Sequence, residues 1–465
     1  MTPQALLVVI AWLPFTLYLF NRYNPRTASI VSFVGGFLFL PQRAGISLPL
    51  IPDFANNTVA SYSITLGLLL FDQKRLLNFR FSWFDVPMLV WTLSPIAASL
   101  SNGLGFYDGI NIAFTQVAIW GWPYIIGRLY LSSLLGMSEL CSLIIKGGLI
   151  YAPMCLIEIR ISPQFHHFIY GYYAHPSGLS QAIRYGGWRP MVFMSHGLVL
   201  GLWMMVVTLV AVWLWQAKKI KQVWGIPMMW VAIILVITFI LIKSTGAYVY
   251  FAVGLGILAG AKWGKNSWLL YLLVGGIILY LSMNISGNFN GKSITSRLSN
   301  FVQPDRVESL QFRFDNEVLL TNKAREKLLF GWGGWGRNRV LEENSAGELE
   351  DVSVTDSYWV IVFGTSGLFG IVSLYSSLLL PLVLFSVKRF PAKTWLHPDV
   401  APSSALVVSL ALFTFDTLIN STFISVYPLI CGGITGLVAQ PRRTKTQVSL
   451  QPSSQRRRPA LPLKE

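Results

Sequence analysis

Three groups of residues have the types and spacing for chemistry. The first is Arg184, Arg189 and His196, in the string AIRYGGWRPMVFMSHGLVLGLW. A guanidinium group binds phosphate oxygens in bidentate fashion, and a neutral imidazole accepts a proton. Arg189 and His196 are seven residues apart, so on a helix they face the same way, an anion site with a proton acceptor beside it. Snorkelling of an arginine at an apolar boundary and helix packing by the histidine are the plainer readings of the same residues. The second group begins with Arg313 and continues through Lys323, Arg325 and Lys327 to Gly331-Trp-Gly-Gly-Trp-Gly336. Cations attract an anion, and glycines let backbone amides approach it closely. The spacing fits neither a Walker loop nor a dinucleotide fingerprint, which disfavours a nucleotide; a tight turn that places Trp332 and Trp335 explains the glycines as well. The third is Asp356-Ser357, at the mouth of an apolar segment marked by Gly367 and Gly370. A carboxylate there can act as a base or cap a helix. Lys146, Lys243, Asp416 and Asn420 also lie in or beside apolar segments. A charge inside a membrane costs about 2.5–3.5 kcal/mol on insertion scales, so Asp416 and Lys146 are expected to have partners.

The elements that must carry these residues are apolar helices. The 465 residues are 53% hydrophobic and only 12% charged, half the charge of an ordinary soluble domain. A purely soluble protein is excluded. Windows long enough to cross a bilayer fall near 4–20, 28–40, 58–72, 83–100, 109–127, 139–158, 190–215, 224–242, 246–262, 266–283, 357–387, 404–420 and 423–439. They predict an all-α, polytopic membrane bundle of about 12–13 helices. The second and third windows are short, and 357–387 is long enough to begin above the membrane. The first has no basic residue before it and no small-residue cleavage site after it, and reads as a retained helix. Cys141, Cys155 and Cys431 lie in apolar stretches without ligand spacing, so neither a disulfide framework nor a zinc site is expected.

The charge is lopsided, 36 Lys+Arg against 20 Asp+Glu, a formal +16. Basic loops facing anionic lipid account for such an excess better than nucleic acid does. The positive-inside rule puts Arg22, Arg26, Lys74, Arg75, Arg80, Lys218, Lys219, Lys221, Lys262, Lys265, Lys388, Arg389, Lys393 and the tail from 441 on the cytoplasmic side, with the N-terminus outside. The chain then divides into an N-terminal bundle (1–283), a large external loop (284–356), C-terminal spans (357–440) and a basic, disordered cytoplasmic tail (441–465). A smaller external loop runs from Ile159 to Arg189. The large loop carries nine cations against eleven acids, a net −2, with the acids gathered in 342–356. Within it, Leu310 to Leu329 has helical periodicity with Leu310, Phe314, Val318 and Leu319 on one side. This predicts an amphipathic helix lying on the membrane face.

The order of these parts resembles the O-antigen ligase and O-antigen polymerase superfamily. The resemblance rests on Arg189 before a span, Arg313 on a helix of a later external loop, the turn LLFGWGGWG, and Asp356-Ser357 followed after nine residues by Gly367-Leu-Phe-Gly370. Family ligases carry His in that dipeptide, and here Asp replaces it, which fits the exopolysaccharide-polymerase branch better. Ser244-Thr245-Gly246 resembles a small-residue turn of the family, with Tyr248 where an arginine is common. The resemblance implies an inner-membrane glycosyltransferase of C-type architecture. It would act on a polyprenyl-diphosphate-linked glycan donor and a glycan or lipid-linked acceptor, with no metal, cofactor or nucleic acid. Arg189, Arg313 and, secondarily, Arg184 would hold the diphosphate, with Asp356 or His196 as base. Tyr170, Tyr172 and Tyr173 are candidates for sugar stacking, although anchoring at the interface is their commoner use. The alternative is a multi-pass transporter or flippase for a polysaccharide or lipid-linked glycan, against which stands the lack of a convincing internal repeat. A structural scaffold would explain neither the loop cations nor the glycine-marked turn.

Overall fold

The computed structural model describes residues 2–47, 52–180, 182–289, 291, 295–296, 304–344 and 347–440. The tail from 441, and Lys292 and Arg297 among the nine cations of the large loop, lie outside them. The protein is an all-α bundle, in which the described β-structure amounts to four two-stranded ribbons. Among the described residues seven helices are long and apolar enough to cross a membrane: Pro3–Arg22, Trp83–Ser101, Leu134–Ile161, Gly197–Gln216, Thr245–Trp263, Trp268–Ile285 and Tyr358–Arg389. Val59–Phe71, Met228–Leu241, Ala401–Asp416 and Val426–Ala439 are shorter apolar helices. The short window 28–40 is the 15-residue helix Pro25–Phe39. The window 109–127 is a helical run with a π-turn at Val117–Gly121 between Phe106–Gln116 and Trp122–Tyr130.

Burial sorts these helices into layers. Gly197–Gln216, Ala401–Asp416 and Val426–Ala439 are buried on nearly every side and form the centre. Helices hydrophobic all round belong there, since no face needs water. Pro3–Arg22, Thr245–Trp263 and Trp268–Ile285 bury a narrower stripe and leave the rest of their apolar surface to the surroundings. The large loop is tied to the bundle by the Asn102 amide, which donates to the Gly331 carbonyl at 2.8 Å, and the smaller loop by the Thr2 hydroxyl, which donates to the Tyr170 carbonyl at 2.5 Å; both loops reach the start of Thr245–Trp263, through Arg189 on Ser244 and Arg313 near Tyr250. At the opposite face the described chain ends at Gln440, whose side chain is bonded to the Ser132 carbonyl.

One helix is broken. At Gly367, φ 60° and ψ −156° interrupt Tyr358–Leu384, and the chain from Leu328 to Gly333 runs alongside the gap. Leu368 and Phe369 donate to the carbonyls of Leu328 and Leu329, at 2.9 and 3.0 Å. Trp332 and Gly333 donate to those of Gly364 and Thr365, at 2.8 and 3.0 Å. The break thus exchanges helical hydrogen bonds for inter-segment ones, as a non-aqueous setting demands. The approach leaves no room for side chains: a Cβ on Gly367 would fall 2.5 Å from the Leu329 carbonyl, and one on Gly331 2.5 Å from the Ser366 amide.

A Gly367→Ala substitution should therefore destabilise the fold by roughly 1–3 kcal/mol, combining positive-φ strain with a clash. Gly276→Ala, with nothing within 4 Å of its added Cβ, is the neutral comparison. Thermal melts in detergent should separate the two variants; equal melting temperatures would show that the break tolerates a side chain.

Candidate functional site

Arg189 and His196 are not joined by a helix, contrary to the seven-residue spacing argument. Arg189 follows a ribbon in which Ile183–Arg184 pairs with Gly187–Trp188, and the helix starts only at Gly197. Glu158, fully buried near the end of Leu134–Ile161, is the reason. Its carboxylate accepts the backbone amides of Met191 and Val192 at 2.9 and 2.7 Å and that of Phe165 at 2.9 Å, which holds the intervening chain in a turn. His196 is the N-cap, its Nδ1 accepting the Leu198 amide at 3.0 Å. The two residues still meet, because the Arg189 side chain folds back over the helix start: a Cβ on Gly197 would lie 2.6 Å from Arg189 Nε.

Arg189 is 3% exposed. Its Nη2 donates to the Ser244 hydroxyl at 3.0 Å, and its Nε has no hydrogen-bond partner among the described residues. Burial, then the neighbouring Arg184, lowers its pKa to about 10, so it stays charged at neutral pH. His196 is pushed down to about 4 by burial, then by Arg189, His175 and Arg184; the His175 ring lies 5.2 Å away. The surroundings are electropositive, and the imidazole is neutral at pH 7. Ser244 belongs to the discontinuity between Met228–Leu241 and Thr245–Trp263, where Lys243 takes φ 60°. The Tyr185 hydroxyl is bonded to Thr245 Oγ1 at 2.6 Å, which ties the ribbon to the same break.

The second cluster forms where Pro304–Arg325 meets the start of Tyr358–Leu384 and the ends of Trp268–Ile285 and Ala401–Asp416. This helix does not turn its Leu310, Phe314 and Val318 side into the protein; those residues are half-buried, while Asn316, Glu317, Leu320, Thr321 and Ala324 are buried. The inward face is polar. Glu317 accepts from the Tyr280 hydroxyl at 2.6 Å, the Ser357 hydroxyl at 2.7 Å and the Trp359 indole at 3.2 Å. Burial raises its pKa, opposed by these three donors and by the charge of Arg313. Arg313, one turn earlier, sets its Nε 3.5 Å from Asp356 and donates from Nη1 to the Ile419 carbonyl at 3.3 Å. Asp356 does not cap the next helix. Ser357 holds the N-cap position without a side-chain cap bond, and the first amides, of Tyr358 and Trp359, donate to the Thr417 carbonyl at 3.0 and 3.2 Å.

Asp416 has the partners expected of it. Its two oxygens accept from Asn420 at 2.6 Å and Thr422 at 2.7 Å, and it lies beside Tyr250 and within the field of Arg313. Lys146, by contrast, has no hydrogen-bond or ion-pair partner among the described residues. The two clusters lie on one face, linked by the first turns of Thr245–Trp263. Ser244 receives Arg189 and Tyr250 meets Asp416, about 9 Å of helix rise apart.

Other residues named above are structural. Arg325 donates to the Asn284 and Ile285 carbonyls at 2.7 and 2.9 Å, a cation at the C-terminus of Trp268–Ile285. Lys323 pairs with Glu326 and lies 4.0 Å above the Trp332 ring. The glycine-rich segment is thus a clasp for Trp332 and for the break at Gly367. Tyr170 and Tyr172 are not free stacking platforms: their hydroxyls are bonded to the Phe39 and Gln42 carbonyls, and Tyr173 stacks on His167. Glu158 and Glu317 escaped notice because hydrophobic periodicity carries no signal for a buried acid; an acid one turn beyond Arg313 on an otherwise buried face was the available clue.

Two apolar grooves flank the broken helix. One, of about 520 Å³, lies against Trp268–Ile285 and includes Leu281, Ile371 and Tyr375. Tyr375 is also bonded to Thr417 at 2.9 Å, directly behind the second cluster. The other, of about 440 Å³, includes Val90, Phe330 and Phe369. No known family model and no curated protein matches the chain.

Because folded His196 resists protonation, it binds fewer protons than the unfolded chain between pH 6.5 and about 4. Its contribution to stability is present above that window and lost on acidification through it. His196→Asn keeps an N-cap acceptor and removes the titration. The wild-type melting temperature should therefore fall more steeply than the variant's from pH 6.5 to 4; parallel curves would overturn the assignment.

Proposed function

We propose that the chain is a membrane glycosyltransferase of the O-antigen ligase or polymerase type, acting at the outer face of the cytoplasmic membrane on a polyprenyl-diphosphate-linked glycan. The observation that carries this reading is Arg189. It is a buried guanidinium beside Arg184 that spends one bond on a serine and leaves Nε unused. An uncompensated buried charge is costly, and an anionic ligand is the group that would balance it.

In this reading the diphosphate sits between Arg189, with Arg184 behind it, and Arg313, while the polyprenyl chain follows an apolar groove along Tyr358–Leu384. The acceptor hydroxyl oxygen bonds to the anomeric carbon as the bond from that carbon to the diphosphate oxygen breaks. Negative charge grows on the departing diphosphate, where preplaced guanidinium groups stabilise it. The hydroxyl proton goes to Asp356 or to His196. Asp356 is ion-paired with Arg313 at 3.5 Å; a diphosphate that draws Arg313 away would free the carboxylate for the acceptor. The same ligand charge would raise the pKa of His196 toward the useful range. The C-terminus would be cytoplasmic, opposite the face of the two loops. The unpartnered Lys146 within Leu134–Ile161 favours one second reading, a transporter of lipid-linked glycan, since intramembrane charges mark transport paths.

Arg313→Ala should lower product formation from a polyprenyl-diphosphate glycan by about 100-fold or more in protein that still inserts normally, with Arg313→Lys restoring part of it. Unchanged turnover removes the anion-stabilising role. Asp356→Asn should lower the rate by roughly 100-fold if Asp356 is the base; full activity eliminates it and leaves His196. Glycan flux across vesicles without bond formation would establish the transporter instead.

A further inference from the structure

At the face opposite the two loops, a cavity of about 990 Å³ opens among the ends of several helices. Its wall holds Lys74, Arg75, Arg80 and Arg128 against one acid, Asp72. Two of the cations are structural. Arg128 grips the buried Asp85 through Nε and Nη2 at 2.7 and 3.0 Å. Arg75 pairs with Asp72 at 3.1 Å and donates to the Leu129 carbonyl at 3.0 Å. Lys74 and Arg80 have no side-chain partners among the described residues. Anchored arginines thus leave two uncommitted cations over a concave surface. Around it the apolar side chains are exposed: Leu77 81%, Trp83 87% and Phe81 55%. Tryptophan and long apolar chains at the end of spans mark the depth of lipid headgroups.

We propose that this cavity is a binding site for the headgroup of an anionic phospholipid, its phosphodiester held by Lys74 and Arg80 and its acyl chains lying along Leu77, Phe81 and Trp83. Charge excludes the nearest other occupant. The segment after Gln440, at the cavity wall, brings Arg442, Arg443, Lys445 and Arg456 to Arg458, the same sign as the site. Setting topology requires cations near the spans but neither a concavity nor an aromatic rim, so the positive-inside rule alone does not account for the arrangement. The inference is independent of the proposed enzymatic activity.

The test uses the full chain in nanodiscs of phosphatidylcholine containing a minor fraction of phosphatidylglycerol. Bound phosphatidylglycerol is counted by native mass spectrometry, and the melting temperature is followed as its fraction rises. The double variant Lys74→Gln, Arg80→Gln should lose affinity by about ten-fold or more, as two cations near an anionic headgroup would provide, together with the lipid-dependent rise in melting temperature. Replacing Arg456, Arg457 and Arg458 by Gln should leave both unchanged. Should the double variant be unstable in pure phosphatidylcholine, Lys74→Gln and Arg80→Gln are measured singly, each expected to show part of the loss. Retained binding in these variants, or an equal loss in the tail variant, would overturn the site. Displacement of the lipid by an equal concentration of glycerol 1-phosphate would overturn the assignment to a lipid and name a soluble phosphate compound.

Discussion

An amide without a partner in hydrocarbon costs several kilocalories per mole, and at Gly367 a helix gives up its own bonds inside an apolar segment. What makes this tolerable is the chain from Leu328 to Gly333, whose carbonyls and amides take over the freed positions. The consequence reaches well beyond the gap. The same few residues follow closely on the helix that carries Arg313 and Glu317, so the four replacement bonds also hold the large loop to the bundle. Lys323 over Trp332, and the Trp332 indole donating to the Lys323 carbonyl at 2.8 Å, lock the turn to that helix from the other side. The position of Arg313 is therefore a by-product of satisfying backbone polarity.

A similar rule governs the buried acids. Glu158, Glu317 and Asp416 each face more than one donor: three backbone amides for the first, two hydroxyls and an indole for the second, and an amide and a hydroxyl for the third. Each joins elements distant in sequence, and each is a pin that hydrophobic packing alone would leave loose. Against that background Arg189 stands out, since its burial is nearly complete and its hydrogen bonding is not. These acids are satisfied from within, whereas Arg189 keeps a buried donor, Nε, without a partner among the described residues.

The all-α membrane class was legible because composition and window hydrophobicity depend on bulk transfer free energies that need no tertiary knowledge. Arg313 beside Asp356 was within reach as a pair of short motifs, although their ion pair was not, since it depends on how a helix docks. The periodicity of Leu310, Phe314 and Val318 marks an amphipathic helix but not the side that docks, because the docked face is held by a carboxylate network that hydrophobic spacing does not register. The spacing from Arg189 to His196 failed for a related reason. Glu158, some thirty residues upstream, captures the Met191 and Val192 amides and prevents the helix from starting earlier. Tyr170 and Tyr172 were misplaced as free surfaces because an aromatic string does not reveal which backbone carbonyls its hydroxyls will meet.

The two arginine clusters stand beside a reversal between two helices and beside a broken helix. Arg189 docks on Ser244, at the discontinuity marked by the positive φ of Lys243, and Arg313 belongs to the loop stitched into the break at Gly367. Irregular backbone within an apolar bundle survives only where protein or a water-lined cavity satisfies it. Such places bring polar side chains close to apolar grooves, a juxtaposition that a continuous helix cannot provide. A ligand with a charged head and a long apolar tail needs that combination, and the grooves of about 520 and 440 Å³ both run along the broken helix. At Gly367 the backbone defect and the candidate chemistry meet: the break costs helical hydrogen bonds, and the segment that replaces them follows the helix that carries Arg313 to the edge of the apolar phase.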